Sequence, residues 1–158
     1  MANIVHCRID DRLIHGQVAT SWLPHTKANL CLIANDDVAV NDSQKLLLAM
    51  AVPEGVDLRC FSIERALQII DKAAPHQKIF VLLRSISDAA RLVKGGFPIT
   101  QINLGNISAK PGAENLFRTI YVTPEERVML KEIIQQGVAL TYCLLPTDQV
   151  VTLDEKTL

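Results

Sequence analysis

Lys78-Ile79-Phe80-Val81-Leu82-Leu83 is apolar from its second residue to its last. A strand with one wet face alternates polar and apolar side chains, so an unbroken apolar run of this length suits a strand covered on both faces. Such strands belong to parallel sheets with helices packed above and below. Upstream, residues 3–9, 29–34 and 57–61 read as further strands. Between them lie a short helix over 16–23, with Val18, Ala19, Trp22 and Leu23 on one side, and a helix over 41–51 whose buried face is Leu46, Leu47 and Met50. Ser62 caps another helix, with Ile63, Ala66, Leu67, Ile70, Ala73 and Ala74 at amphipathic spacing. Downstream, Ser85 or Ser87 caps a helix that buries Ala89, Leu92 and Val93 and stops at Gly95-Gly96. Strands over 101–104 and 119–122 flank a polar stretch, 105–118. Thr123-Pro124-Glu125-Glu126 is a capping box with proline at the first helical position, and Gly137 ends that helix. A last strand over 138–145 closes at Pro146, and 150–158 fits either an edge piece or a frayed end.

Alternating strands and helices predict one three-layer α/β domain over 1–158, with a mainly parallel β-sheet and helices on both faces. The rest of the sequence agrees. The chain has 158 residues, 49% hydrophobic and 21% charged, with a net charge of -1. That balance excludes a disordered chain and counts against a surface devoted to nucleic acid. No apolar run reaches the ~18 residues of a membrane span, and the first residues carry no secretory signal pattern, so a cytoplasmic location is expected. Cys7, Cys31, Cys60 and Cys143 share no CxxC spacing and lie in apolar runs, which predicts reduced core thiols. Trp22 and His6 are expected in the interior, and His25 and His76 at the surface.

In a parallel α/β sheet, ligands collect at the carboxyl ends of the strands. The loops to weigh are therefore 10–15, 35–38, 84–87 and 105–118. The first stands apart: Arg8-Ile9-Asp10-Asp11-Arg12-Leu13-Ile14-His15-Gly16-Gln17 sets five ionisable side chains between a strand and a helix. Imidazole is a nucleophile, and Asp10 or Asp11 can hold one ring nitrogen and fix the tautomer. Arg8 and Arg12 can offer paired donors to an oxyanion, and the amides around Gly16 and Gln17 open a helix. This is the composition of a site that handles a phosphoryl group, with His15, Arg12 and Asp10 as catalytic candidates. Arg8, Gly16, Gln17 and Asn35 are the candidates for holding the phosphoryl group. Asn35-Asp36-Asp37 also fits a plain helix cap, and Gly105-Asn106 either a turn or a further wall of the site. No metal-ligand spacing occurs, and neither metal nor cofactor is expected.

The same segment, continued to Val18, resembles the signature of the IIB components of the bacterial sugar phosphotransferase system, mannose/fructose/sorbose family. Ala34-Asn35-Asp36-Asp37-Val38-Ala39, Leu92-Val93-Lys94-Gly95-Gly96 and Ile102-Asn103-Leu104-Gly105-Asn106-Ile107 resemble further parts of that family, so the likeness spans nearly the whole chain. The resemblance implies a phosphocarrier, a protein-N(π)-phosphohistidine–sugar phosphotransferase. It would take a phosphoryl group from a phosphorylated IIA protein or domain and pass it to a hexose or amino sugar entering through membrane components IIC and IID. It would then sit peripherally on the inner face of the membrane, and the resemblance is compatible with a homodimer. The family's phosphorylated histidine, modified at Nδ1, matches His15, and its phosphate-binding arginine matches Arg12. Residues 72–80 are similar to N-acetylgalactosamine-type members. Many relatives carry Thr-Pro where Arg84-Ser85-Ile86 stands here, and Gly-Lys where Gly112-Ala113 stands.

Three other readings set out different requirements. A metal-dependent phosphohydrolase needs Asp36 and Asp37 to join Asp10, Asp11 and His15. A receiver-like domain needs an acceptor aspartate after the third strand, where Phe61-Ser62 stands. A phosphorylated sensor of the same fold would accept phosphate and transfer none to sugar.

Overall fold

The computed structural model describes residues 1–158. Seven strands form the main sheet: β1 (Asn3–Asp10), β2 (Leu30–Ala34), β3 (Asp57–Phe61), β4 (Lys78–Leu83), β5 (Gln101–Asn106), β8 (Ala139–Tyr142) and β9 (Val151–Leu153). Two more, β6 (Glu114–Phe117) and β7 (Ile120–Val122), stand apart from it. The order in the main sheet is β3-β2-β4-β1-β5-β8-β9. Every neighbouring pair is parallel except β8 with β9. The expectation of a mainly parallel sheet is met, and the tail supplies an antiparallel edge strand.

Side chains alternate between two cores, as strands buried on both faces require. Ile79, Val81 and Leu83 of β4 enter one core with Cys7 and Ile9 of β1; Phe80 and Leu82 enter the other with Cys31 and Ile33 of β2. The first core is covered by α4 (Ile63–Ile69), α5 (Ile86–Lys94) and α6 (Pro124–Gln135), through Ala66, Leu92 and Ile133 among others. The second is covered by the helical residues 16–26, by α2 (Asp36–Ala39) and by α3 (Asp42–Ala51). Residues 16–26 are π-helical over Val18–Trp22 and end in α1 (Leu23–Thr26). Trp22 is buried there, and His6 stacks on it at 4.6 Å.

The caps are where the sequence put them. Ser62 accepts from Arg65 N–H, Ser85 from Asp88 N–H, and Thr123 and Glu126 complete their reciprocal box. Four details differ. Residues 105–118 are not all loop, because β6 pairs with β7 as an antiparallel hairpin. Helix α4 ends at Ile69 and tightens into a 3₁₀ turn over Ile70–Lys72, which leaves Ala73 and Ala74 outside it. All four cysteines are free, but Cys60 is only half-buried, because β3 is an edge strand. Helix α3 buries Leu48, whereas Leu46, Leu47 and Met50 are 65%, 67% and 76% exposed. It lies over β3 at the edge of the sheet, so one narrow stripe of the helix finds cover.

From β1 the chain runs to β2 on one side of the sheet, and from β5 it runs toward β8 on the other. The connections diverge, and the carboxyl ends of β1 and β5 bound the crevice that divergence leaves.

Candidate functional site

Strand β1 ends in that crevice at Asp10. The Asp10 carbonyl accepts from Leu13 N–H at 2.9 Å, which closes a tight turn over Asp11 and Arg12. Leu13 then takes a left-handed φ of 59°, a conformation that costs a non-glycine residue on the order of 1–3 kcal/mol. Its side chain and that of Ile14 are buried in the second core, and this burial holds the strained loop in place. The chain thereby turns His15 back onto the end of its own strand. Helical residues begin at Gly16, which is exposed, with no heavy atom near where a Cβ would stand. The first N–H groups of a helix have no partner within it, so donors open at the residue after His15.

Asp10 is the centre of the arrangement. Its side chain is fully buried. One carboxylate oxygen, Oδ2, lies 2.9 Å from His15 Nε2 and 3.4 Å from Arg8 Nη2. The other, Oδ1, accepts from Arg12 N–H at 3.1 Å and from Arg12 Nε at 3.3 Å. A carboxylate beside a ring nitrogen fixes the tautomer with the proton on that nitrogen. The lone pair of neutral His15 is therefore on Nδ1, and Asp10, not Asp11, is the residue that holds the ring.

The remaining candidates divide. Arg12 is 46% exposed and keeps both Nη groups without a partner, while His15 is 19% exposed, more sheltered than a freely convex loop would leave it. Gly16 and Gln17 follow directly, and Gln17 Oε1 is buried without a partner. Arg8 is elsewhere. Its side chain is 0% exposed, beneath Asp10 and against the face of Trp22 at 4.8 Å. Burial lowers its pKa, and the adjacent Asp10 opposes that shift. It is not presented to solvent as an oxyanion donor.

Asn35 also serves the fold. It caps α2 by accepting from Val38 N–H at 3.0 Å, and its amide donates to Asp88 of α5 at 2.8 Å. Burial raises the Asp88 pKa, partly offset by that bond and by Ser85. Asn35 lines an open cleft shared with Asp11, Arg84 and Lys110, but it makes no contact with His15.

Asp11 is bound to the end of β5 and the loop after it. Its carboxylate accepts from Asn106 Nδ2 at 2.8 Å and Ser108 N–H at 2.6 Å, and its own N–H donates to the Asn106 carbonyl at 3.0 Å. Gly105-Asn106 is thus not a plain turn but the end of β5, tied to Asp11 through Asn106. Asp36 pairs with Arg91 at 2.7 Å and caps Ile63 N–H, and these bonds hold its pKa below the usual carboxylate range. It does not join Asp10 and His15, and no group of three or more His, Cys, Asp or Glu side chains is gathered to hold a metal ion. One contributor escaped the sequence reading: Asn103 of β5, whose Oδ1 accepts from Arg8 Nη1 at 2.5 Å. The available signal was a polar residue between Ile102 and Leu104 in a strand covered on both faces.

A family model described as "PTS system sorbose subfamily IIB component" matches residues 4–157. The chain belongs to that family. It is 37% identical over 153 residues to the N-acetylgalactosamine-specific phosphotransferase enzyme IIB component 2 of Escherichia coli (strain K12), covering 97% of this chain and 98% of that one. The crystal structure of the N-acetylgalactosamine-specific IIB component 1 from Escherichia coli superposes with a TM-score of 0.91 at 36% identity, covering 96% of this chain and 99% of that one. The IIBSor domain of the sorbose permease from Klebsiella pneumoniae gives 0.89 at 30% identity, covering 98% and 95%. This IIB component is therefore a phosphotransferase of the sugar phosphotransferase system, with the α/β fold of its relatives. Components of this kind work with IIA proteins, with membrane components IIC and IID, and with a sugar. No helix of this chain is long and apolar enough to cross a membrane.

Proposed function

We propose that this IIB component carries the phosphoryl group on Nδ1 of His15, with Asp10 and Arg12 as its immediate assistants. One observation carries the assignment: Asp10 occupies the Nε2 side of the ring at 2.9 Å, so the nucleophilic lone pair is left on Nδ1. In the first transfer, that lone pair forms a bond to the phosphorus of the donor's phosphohistidine. The donor's N–P bond breaks and returns its electron pair to the donor ring. The phosphorylated His15 ring gains positive charge, which the buried Asp10 carboxylate balances through Nε2–H. Arg12 is held by its backbone N–H and Nε, which leaves both Nη groups to meet the phosphoryl oxygens. The opening amides at Gly16 and Gln17 add aligned dipoles. In the second transfer, a sugar hydroxyl oxygen attacks phosphorus, the Nδ1–P bond breaks, and the hydroxyl proton leaves to solvent or a partner base. Positioning and charge stabilisation carry both steps.

The sugar belongs to the hexoses and amino sugars. The amino sugars are favoured because the similar proteins include two named as N-acetylgalactosamine-specific. Docking on IIC and IID would place the chain at the inner face of the membrane. Intact mass after incubation with phosphoenolpyruvate, the two general phosphotransferase proteins and a IIA protein tests the assignment. One acid-labile, base-stable phosphoryl group is expected on the wild type and none on His15→Ala. A phosphoryl group on folded His15→Ala would overturn it. Membranes holding IIC and IID, supplied with candidate sugars, then identify the acceptor.

A further inference from the structure

The mechanism leaves a buried guanidinium to be explained. Arg8 gains nothing from water, yet its charge stands inside the sheet; removing such a group from water costs several kcal/mol unless partners replace the water. Four bonds do so. Nη1 donates to Asn103 Oδ1 at 2.5 Å and to the Cys143 carbonyl at 3.0 Å. Nη2 donates to the Leu144 carbonyl at 3.2 Å and to Asp10 Oδ2 at 3.4 Å. Three of those acceptors lie on β5, the strand next to β1, or just beyond β8. Only the fourth is a reacting-site residue, and the atom it touches is the oxygen that holds His15 Nε2.

Strand β5 is shaped around this group. Arg8 stands opposite Asn103 and Ile9 opposite Leu104, but Asp10 stands opposite Asn106, so Gly105 is an extra residue in the ladder. Bulges of this kind re-aim side chains beside active sites. At Gly105 the bulge makes space: a Cβ there would overlap Cζ, Nη2 and Nε of Arg8. Asn103 supplies the acceptor and Gly105 the room. Asn103 is itself fixed, since its Nδ2 donates to the Cys143 carbonyl at 3.3 Å.

We propose that Asn103 and Gly105 are positioning residues for phosphoryl transfer: through Arg8 they set the Asp10 carboxylate that orients His15. The inference rests on the assignment of His15 as the carrier. Asp10 Oδ2 serves Arg8 and His15 together. If Arg8 loses its seat, the carboxylate is free to rotate toward Arg12, which already occupies Oδ1. His15 then loses its fixed tautomer, and Nδ1 loses its aim.

The test compares wild type, Asn103→Leu, Asn103→Asp and Gly105→Ala. Leucine has the branching of asparagine without the acceptor or the amide donor. Aspartate restores an acceptor for Nη1. Alanine intrudes on the guanidinium. Ring-nitrogen NMR of His15 in the unphosphorylated proteins reads the tautomer, and rapid-quench transfer from phosphorylated IIA reads the rate. Asn103→Leu and Gly105→Ala should show mixed His15 tautomers. Their kcat should fall about 10- to 100-fold, the scale of a misplaced reacting group, with the KM for IIA unchanged because the surface around His15 is intact. Asn103→Asp should restore both readings most of the way to wild type. A folded Asn103→Leu with a single Nε2–H tautomer and wild-type kcat overturns the proposal. So does a slowed Asn103→Leu that Asn103→Asp fails to rescue. If Asn103→Leu does not fold, Gly105→Ala against Asn103→Asp decides by the same two readings. If the wild type accepts no phosphoryl group from a competent IIA, the carrier assignment fails instead, and the tautomer readings still judge the positioning.

Discussion

The contacts around Asp10 make it the residue whose loss is felt twice. Asn at this position has one acceptor where the carboxylate has two, and its amide can donate to the His15 ring and reverse the tautomer. It also leaves Arg8 buried beside no counter-charge. Asp10→Asn is expected to lose phosphoryl acceptance by at least about 100-fold. It should also lower stability by about 3–5 kcal/mol, the scale for breaking one partner of a buried pair; quench kinetics and urea unfolding read the two effects. Arg12→Ala separates them. Arg12 is half-exposed, so stability should move by no more than about 1 kcal/mol, while transfer falls about 100-fold for want of a fixed oxyanion donor. Equal losses in stability from both variants would contradict this division. That His15, Arg12 and Asp10 would meet was legible in the sequence because they share one loop. Arg8 was not: it looked like a second oxyanion donor, but as a strand residue it alternates with Cys7 and Ile9 and shares the face of Asp10. Its partners other than Asp10 lie 95 residues or more further along the chain, on β5 and after β8.

Elements show the same division between local and distant information. The helix caps, the glycine stops and the strand β4 follow from neighbouring residues alone, and the structure has them where the spacing puts them. The face of a helix is different, because what covers it comes from elsewhere. Helix α3 offers three consecutive leucines, Leu46, Leu47 and Leu48, and helical spacing cannot say which one meets the sheet. The edge position of β3 decides for Leu48. Leu48→Ala is therefore expected to cost about 2–5 kcal/mol, as a buried leucine does. Leu47→Ala should stay near the range of surface changes, within about 0.5 kcal/mol. Chemical denaturation of the two variants checks this, and the reverse order would mean that α3 sits on its other face. The loop before the helix at Gly16 depends on burial in the same way. Leu13→Ala removes the anchor while keeping the left-handed backbone, so it should cost about 2–5 kcal/mol and disperse the His15 ring signals in NMR.

Across the whole molecule, the polar side of β1 faces the interior, and this ties stability to pH. His6 precedes Arg8 and Asp10 on that side of the strand, stacked on Trp22 and tilted against Phe80 at 5.1 Å. Burial, helped by the charge on Arg8, lowers its pKa from 6.5 to about 4. The sign follows from which state binds the proton. Above the unfolded value both states leave His6 neutral, and it contributes no pH dependence. As pH falls from 6.5 toward 4, the unfolded chain takes up a proton that the folded chain refuses, so stability declines through that window. Below the folded value both states are protonated and the loss is complete, at about 3 kcal/mol for a shift of this size. The Asp36–Arg91 pair acts lower. The Asp36 pKa is depressed in the folded state, so its contribution is present above the unfolded carboxylate value and is lost as pH falls through the folded one. The two effects are thus separable in pH. His6→Phe keeps an aromatic ring against Trp22 and removes the proton site. Urea midpoints measured from pH 7 down to pH 4 should fall steeply for wild type and much less for His6→Phe, whatever the offset between them at pH 7. Parallel curves would show that the acid sensitivity of the fold comes from groups other than His6.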